Sequence, residues 1–150
     1  MAATRRRPQP PGLRPQVSGA LQLSREEQLS REELVMRHIA AENARDLDGA
    51  MATFSYPRYE IIPTGMIFDG DEAVRAMLQQ QWAALPLLQY SAEAVYHGND
   101  GLIVETRTTA PGTPVDMLSI NLFGFRGPDL ILERCYFDRM LLAEQLRAMP

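Results

Sequence analysis

Apolar residues follow a helical spacing in the first part of the chain and alternate with polar residues in the second part. Two Ser-x-x-Glu sequences, in which hydroxyl and carboxylate satisfy the free amides of a helix start, allow a first helix to begin after Ser24 or after Ser30. The apolar positions then predict helix toward Arg45 and a second short helix that ends near Phe54. Both start points remain open at this stage.

A short strand and a longer helix are predicted next. Residues 59–62 have a strand pattern that Pro63 stops. An Asp-Gly pair at residues 69–70 predicts a turn, and residues 71–84 then predict a helix.

The remaining chain predicts four strands and a last helix. The strands cover residues 89–97, 102–109, 114–125 and 130–138. Helices first and an antiparallel meander afterwards indicate an α+β domain. Because strands twist and glycines at the turns favour curvature, we expect a curved sheet that the helices close into a cone. The mostly apolar interior of such a cone is the usual form of a small-molecule site.

The composition restricts the environment of the protein. Cys135 is the only cysteine, which excludes a disulfide within the chain and favours a reducing cytoplasm. Residues 1–23 are rich in Arg and Pro and contain no apolar stretch long enough for a signal segment or a membrane span. We predict a disordered tail there and one domain in residues 24–150.

The basic residues and the charge restrict the function further. All 15 basic residues are arginines, so no lysine is available as a Schiff base or nucleophile. The tail holds four arginines and no acid, which leaves 11 arginines against 19 acids, a net charge of −8, for the rest. This acidic body argues against nucleic-acid binding.

Polar side chains on the predicted strands are the first candidates for chemistry. Glu105 and Arg107 share one face of their strand. On a concave surface, Arg107 would hold an anionic oxygen and a partly buried Glu105 would transfer protons. On a solvent-facing surface the two would form an ordinary charge pair. Both interpretations stay open.

The last strand brings Asp138 and Tyr136 onto one face with Leu130, Leu132 and Arg134. Asp138 follows two aromatic residues and precedes an apolar helix. Its carboxylate is therefore either desolvated and suited to proton transfer, or the cap of that helix.

Histidine, amide and large apolar residues complete the set of candidates. His97 ends a strand beside a glycine turn and is the stronger catalytic candidate of the two histidines, with a solvent-exposed hairpin end as the alternative. His38 has the helical spacing of a packed or partly exposed residue. Neither has a carboxylate at metal-ligand spacing, so no metal site is expected. Asn121 interrupts an apolar strand, where a buried amide needs a backbone partner or a ligand. The predicted core and pocket lining includes Trp82, Met117 and Phe123.

Three segments carry a resemblance to a known family. They read PTGMIFDGDEAV from Pro63, GLIVE from Gly101 and ERCYFDRMLLAEQL from Glu133. With them, residues 34–146 resemble the SnoaL-like branch of the nuclear-transport-factor-2-like superfamily, which includes polyketide cyclases that perform an aldol closure without a cofactor. The resemblance implies a homodimer, a cone-shaped pocket, and Asp138 as acid or base with a histidine nearby. Because no histidine follows Thr109, His97 would take that role.

A weaker resemblance is to limonene-epoxide hydrolase. It rests on Tyr-Phe-Asp at residues 136–138 and on Arg107. Thr109 and Ile61 stand where that group has an aspartate and an asparagine, so part of the network that would position a hydrolytic water is missing.

The sequence therefore predicts a cofactor-independent cyclase or isomerase that acts on a hydrophobic, carbonyl-bearing, polyketide-like small molecule, without nucleic-acid or membrane partners. Asp138 would move the proton, and Arg107 with Tyr59 or His97 would stabilise the oxyanion. An epoxide hydrolase and a non-catalytic binding or dimerisation module are the alternatives.

Overall fold

A computed structural model describes residues 21–149 of the chain. Most of the predicted tail, residues 1–20, lies outside the described residues. None of the helices in the described part combines the length and the apolar character that crossing a membrane requires. The elements are, in chain order, α1 (Arg25–Asn43), α2 (Leu47–Ala52), β1 (Arg58–Ile61), β2 (Met66–Asp69), α3 (Asp71–Ala84), β3 (Gln89–Gly98), β4 (Gly101–Thr109), β5 (Asp116–Arg126), β6 (Asp129–Phe137) and α4 (Arg139–Arg147).

The first of the two predicted start points begins helix α1. The Ser24 hydroxyl accepts a hydrogen bond from the Glu27 amide at 3.1 Å, and the Glu27 carboxylate accepts one from the Ser24 amide at 2.8 Å. This reciprocal pair satisfies two amides that the helix itself leaves without partners. Ser30 lies one and a half turns inside the helix.

The strands form one curved, unclosed sheet in the order β2-β1-β6-β5-β4-β3. The predicted α+β architecture with helices first is confirmed. The meander from β3 to β6 is antiparallel, as expected, but β1 pairs with β6 in parallel, so the complete sheet is mixed. Strand β2 was not among the predicted strands, because its apolar residues, Met66 to Phe68, are consecutive and do not alternate with polar ones.

Helix α1 packs on the concave face of the sheet through a stripe that is largely polar. Arg31, Val35, His38 and Glu42 are its buried residues. The Arg31 guanidinium donates to two backbone carbonyls in the strand turns, those of Asn99 and Gly127, at 2.8 Å each. Three polar side chains on the buried face explain why the apolar spacing of α1 is weak in the sequence.

A bulge in β6 decides which of its side chains face the helices. Phe125 pairs with Leu130 and Gly124 pairs with Leu132, so β6 holds one extra residue, Ile131. After such a bulge the alternation changes sides, and Glu133 comes opposite Phe123 on the concave face.

The predicted common face of β6 is therefore corrected. Leu130 belongs to the core, but beyond the bulge Cys135 and Phe137 line the interior in place of Arg134 and Tyr136.

Asp138 is the N-cap of helix α4. Its Oδ1 accepts hydrogen bonds from the amides of Met140 at 2.9 Å and Leu141 at 3.0 Å. The residue is exposed. The sequence left two interpretations of Asp138 open. The structure shows the helix cap, and the expectation of a desolvated carboxylate is corrected because the residue is exposed.

Replacement of Asp138 by Ala removes the oxygen that accepts both hydrogen bonds. It is expected to lower the free energy of unfolding by about 1 kcal/mol, measured in urea. Asp138→Asn, which keeps a capping oxygen, should retain most of that stability. An equal loss in both variants would contradict the cap.

Candidate active site

A cavity of about 170 Å³ lies between the helices and the concave face of the sheet. Its wall is mostly apolar, and its polar groups cluster around the imidazole of His38. The phenyl rings of Phe54 and Phe123 flank this imidazole, with centroids 5.1 and 6.0 Å away. The lining residues are His38, Ile39, Glu42, Tyr59, Ile61, Gln81, Leu85, Leu88, Tyr90, Thr106, Thr108, Met117, Ser119, Asn121, Phe123, Glu133, Cys135, Phe137 and Leu142.

Both ring nitrogens of His38 face oxygen atoms that accept hydrogen bonds. The Thr53 hydroxyl donates to the Ala50 carbonyl at 2.6 Å, so its oxygen is free to accept from Nδ1 of His38 at 2.8 Å. The Tyr59 hydroxyl donates to Oε1 of Glu42 at 2.6 Å and faces Nε2 of His38 at 2.8 Å. A proton on each nitrogen satisfies this pattern, so the geometry fits an imidazolium.

Two buried carboxylates balance this positive charge. Nε2 of His38 lies 3.2 Å from Oε1 of Glu42 and 3.2 Å from Oε2 of Glu133. Burial by itself lowers the pKa of His38, but the proximity of Glu133 and Glu42 outweighs it and raises the pKa to about 10. His38 is therefore charged at neutral pH.

The two carboxylate oxygens of Glu133 differ, because one accepts hydrogen bonds and the other does not. Its Oε1 accepts a hydrogen bond from Nδ2 of Asn121 at 2.7 Å, and Sγ of Cys135 lies 3.6 Å away. Its Oε2 is buried without a hydrogen bond, although His38 is close, because the Nε2–H of His38 is directed at Tyr59. The Glu133 side chain is only 5% exposed. One oxygen of this buried carboxylate is thus without a hydrogen-bond donor, which is rare in folded proteins.

Tyr59 and Cys135 are neutral hydrogen-bonding groups in this site. Burial, together with the charges of Glu133 and Glu42, raises the pKa of Tyr59 and of Cys135 well above their usual values. The thiol is therefore not a nucleophile at neutral pH.

Within residues 21–149, one group of side chains has ligand atoms near enough to one another to hold a metal ion, namely His38, Glu42 and Glu133. These atoms lie within 4.8 Å of one another, and imidazole and carboxylate are ligands for zinc. A metal bound to Nε2 of His38 would replace the proton with which Nε2 donates a hydrogen bond to the Tyr59 hydroxyl. The hydrogen bonds around His38 fit a proton better than a metal.

The comparison with protein families decides the identity of the domain. The sequence profile of the SnoaL-like domain matches residues 35–133, which is more than half of the chain. The chain belongs to the SnoaL-like family. The match includes His38, Glu42 and Glu133. A search of curated proteins gave no significant match.

Solved structures show the same fold for this SnoaL-like chain. A protein of Jannaschia sp. CCS1 that has been proposed to be a SnoaL-like polyketide cyclase superposes with a TM-score of 0.71 at 20% identity, over 81% of this chain and 94% of that one. Bal32a from a soil-derived mobile gene cassette gives 0.68 at 22% identity, over 81% and 98%. TerC, crystallised with polyporic acid, gives 0.68 at 14% identity, over 79% and 98%. At these identities the likeness concerns the fold alone.

The structure places four of the predicted site residues in the cavity wall of this SnoaL-like domain. Tyr59 contacts the His38 cluster directly. Asn121 donates to Glu133, which is neither of the two partners that the sequence left open. The other two, Met117 and Phe123, supply apolar surface.

The two candidates on β4 lie on the outer face of the sheet. Arg107 is exposed and forms a two-point hydrogen bond with Asp116 at 2.7 and 2.8 Å. Glu105 shares that face, because the alternating Thr106 and Thr108 are the buried residues that line the cavity. The expected inward pair of Arg107 and Asp138 is corrected, since neither lines the cavity.

The remaining predicted site residues also lie outside the cavity. Nε2 of His97 lies 3.0 Å from Glu32 on helix α1. Trp82, on α3, is partly buried and packs against the core, with the Arg45 guanidinium 5.7 Å from its ring centroid. Tyr136 is exposed on the outer face of the sheet, opposite Ile120.

The sequence analysis missed the acid-base cluster itself. Glu42 follows His38 by four residues, which is the spacing of neighbours on one helix face. The expectation that neither histidine has a carboxylate at metal-ligand spacing was therefore wrong. The position of Glu133 depends on the bulge at Ile131, which leaves no mark in the alternation pattern. The pair of His38 and Glu42 could thus have been recognised from its spacing in the sequence, whereas the inward position of Glu133 could not.

The raised pKa of His38 makes stability depend on pH. Between its unfolded value near 6.5 and its folded value of about 10, the folded protein holds a proton that the unfolded chain has released. This contribution is complete below pH 6.5 and disappears as the pH rises through 10. We expect the free energy of unfolding to fall by roughly 1–3 kcal/mol between about pH 6.5 and about pH 8.5, measured by urea titration.

His38→Gln is the control for this pH dependence. The amide does not titrate, so the decrease over that interval should disappear, whatever the absolute stability of the variant. Equal slopes in the two proteins would show that His38 is not the titrating group.

Proposed function

We propose that this SnoaL-like domain is a cofactor-independent enzyme that moves protons on a hydrophobic, carbonyl-bearing small molecule, in an isomerisation or an aldol-type ring closure. The observation that carries the proposal is Oε2 of Glu133, a buried carboxylate oxygen in the cavity wall that receives no hydrogen bond. A desolvated carboxylate beside an apolar cavity is a suitable general base.

Glu133 would take the proton from the carbon next to the substrate carbonyl. The electron pair of that C–H bond then becomes the enolate, whose oxygen needs hydrogen-bond donors. Hydroxyl groups of Thr106, Thr108 and Ser119 lie in the same wall and offer such donors. Glu133 returns the proton to another carbon in an isomerisation, or to the new alkoxide when the enolate carbon attacks a second carbonyl.

His38 and Asn121 act as positioning residues in this proposal. Asn121 holds one oxygen of Glu133 at 2.7 Å, which leaves the other free for the substrate. The charge of His38 at 3.2 Å stabilises the ionised carboxylate between turnovers. Tyr59 and Glu42 in turn orient the imidazolium.

The proposal moves the proton-transfer role from Asp138 to Glu133, because Asp138 caps α4 outside the cavity. The same placement removes the basis for an epoxide hydrolase, whose resemblance rested on Arg107 and Asp138. A non-catalytic binding module stays the alternative.

Exchange of α-protons in heavy water tests the proposal without knowledge of the natural substrate. Cyclohexanone, acetophenone and phenylacetone are incubated with the protein, and loss of the α-proton signals is followed by NMR. For a compound that the cavity binds, we expect exchange above the buffer rate, lowered by about 10²–10⁴ in Glu133→Gln because the base is removed.

Asp138→Asn is the matched control, since it makes the same change from carboxylate to amide outside the cavity. It should exchange at the rate of the unaltered protein. Binding without exchange in the unaltered protein would contradict catalysis and favour the binding module.

A homodimer stays a prediction, and we propose the outer face of the sheet as its interface. Tyr96, Leu118 and Tyr136 expose apolar surface there. Leu118→Asp should convert a dimer into a monomer, as measured by light scattering during size-exclusion chromatography. Leu87→Asp is the matched control, because Leu87 is 55% exposed, like Leu118 at 56%, but lies in the loop between α3 and β3. A monomeric parent protein, or a dimer that survives Leu118→Asp, would contradict this interface.

A further inference from the structure

We infer that the cavity selects uncharged carbonyl compounds with a single ring and discriminates against the corresponding carboxylates. The inference rests on the proposed function for the carbonyl group, but charge and size are argued from the cavity alone. It concerns binding, so it can be measured without any turnover.

The charge of the cavity wall opposes an anionic ligand. His38 supplies one positive charge, and Glu42 and Glu133 act only as hydrogen-bond acceptors, as ionised carboxylates do. The net charge of this cluster is therefore negative. The three side chains are 1%, 8% and 5% exposed, so water screens little of its field.

No other cation compensates for this charge in the described wall. The lining residues include no arginine, and the chain has no lysine. Arg45, at the end of α1, directs its guanidinium to the backbone carbonyls of Glu42, Pro86 and Leu88. Arg134 binds Glu60 on the outer face of the sheet. A ligand carboxylate would thus lose its water and meet two like charges instead of a partner.

A neutral carbonyl group meets what it needs in the same wall. Its oxygen requires hydrogen-bond donors and no charge, and the hydroxyls near Asn121 provide them. Ser119 illustrates this, since its Oγ lies 3.3 Å from the Thr106 carbonyl and 3.4 Å from Oδ1 of Asn121, both long contacts. The hydroxyl can turn to a better acceptor at little cost.

The size of the cavity limits the ligand to one ring. A dry cavity of about 150 Å³ holds a benzene molecule, and this cavity measures about 170 Å³. A single six-membered ring with a small substituent fills it. The apolar body would contact Ile39, Leu85, Leu88, Met117, Phe123 and Phe137. A fused polyketide skeleton exceeds this volume.

Benzamide and benzoate form a test pair of the same shape and different charge. Their affinities are measured by isothermal titration calorimetry at pH 7 with the full chain. We expect benzamide to bind at least about tenfold more tightly than benzoate. Failure of benzamide to bind, or benzoate of equal or higher affinity, would overturn the inference.

Variants of the two glutamates connect this ratio to the cavity charge. Glu42→Gln and Glu133→Gln each remove one negative charge, and each should reduce the preference for benzamide severalfold. If one variant does not fold, the other makes the same change in charge. Arg107→Gln, on the outer face, should leave the ratio unchanged. A ratio that stays constant in both folded glutamate variants would show that these charges do not cause the selectivity.

The size limit is tested with 2-naphthamide, which adds a second ring to the same amide. It should bind more weakly than benzamide to the unaltered protein, and Met117→Ala should reduce the difference by enlarging the cavity. Equal binding of both amides to the unaltered protein would overturn the limit to one ring. Selective binding without α-proton exchange would reject the proposed catalysis and leave this inference standing, so the two failures are distinguishable.

Discussion

The charge of His38, buried between two carboxylates, is the interaction on which this structure depends. Its partners come from four elements: Glu42 from α1, Thr53 from the end of α2, Tyr59 from β1 and Glu133 from β6. A buried ion of this kind is tolerated only when its donors and acceptors are all in place, because a missing partner leaves an uncompensated charge. The cluster therefore connects helices α1 and α2 to strands β1 and β6.

This arrangement buries polar and charged groups where stability alone would favour apolar residues. Helix α1 buries Arg31, His38 and Glu42 beside Val35, and the surrounding walls are otherwise apolar. Strongly shifted titrating groups in a cavity are typical of sites that do chemistry. The oxygen of Glu133 that receives no hydrogen bond fits the same pattern, because buried polar atoms without a partner are rare in folded proteins.

The parts of the fold that were predictable are those that rest on local patterns. The cap at Ser24, the helix after the Asp-Gly turn and the four strands of the meander follow from neighbouring residues and from periodicity. The candidate site was harder to predict from the sequence. Met117, Asn121 and Phe123 were predicted as pocket residues from their apolar or interrupted strand, and Tyr59 was predicted to stabilise the oxyanion. The Glu133 position required the register of β5 against β6.

The α+β architecture could be read from the chain alone, because helical and strand periodicity involve neighbouring residues, and the family resemblance could be read from three short segments. The composition excluded a lysine mechanism. Which carboxylate faces the cavity depends instead on contacts between distant parts of the chain. One extra residue at Ile131 turns Glu133 inward, while the pairing of Asp138 with the first amides of α4 leaves it outside. The inside and outside of a strand are set by the partner strand and the helices above it, and these contacts join residues far apart in the chain.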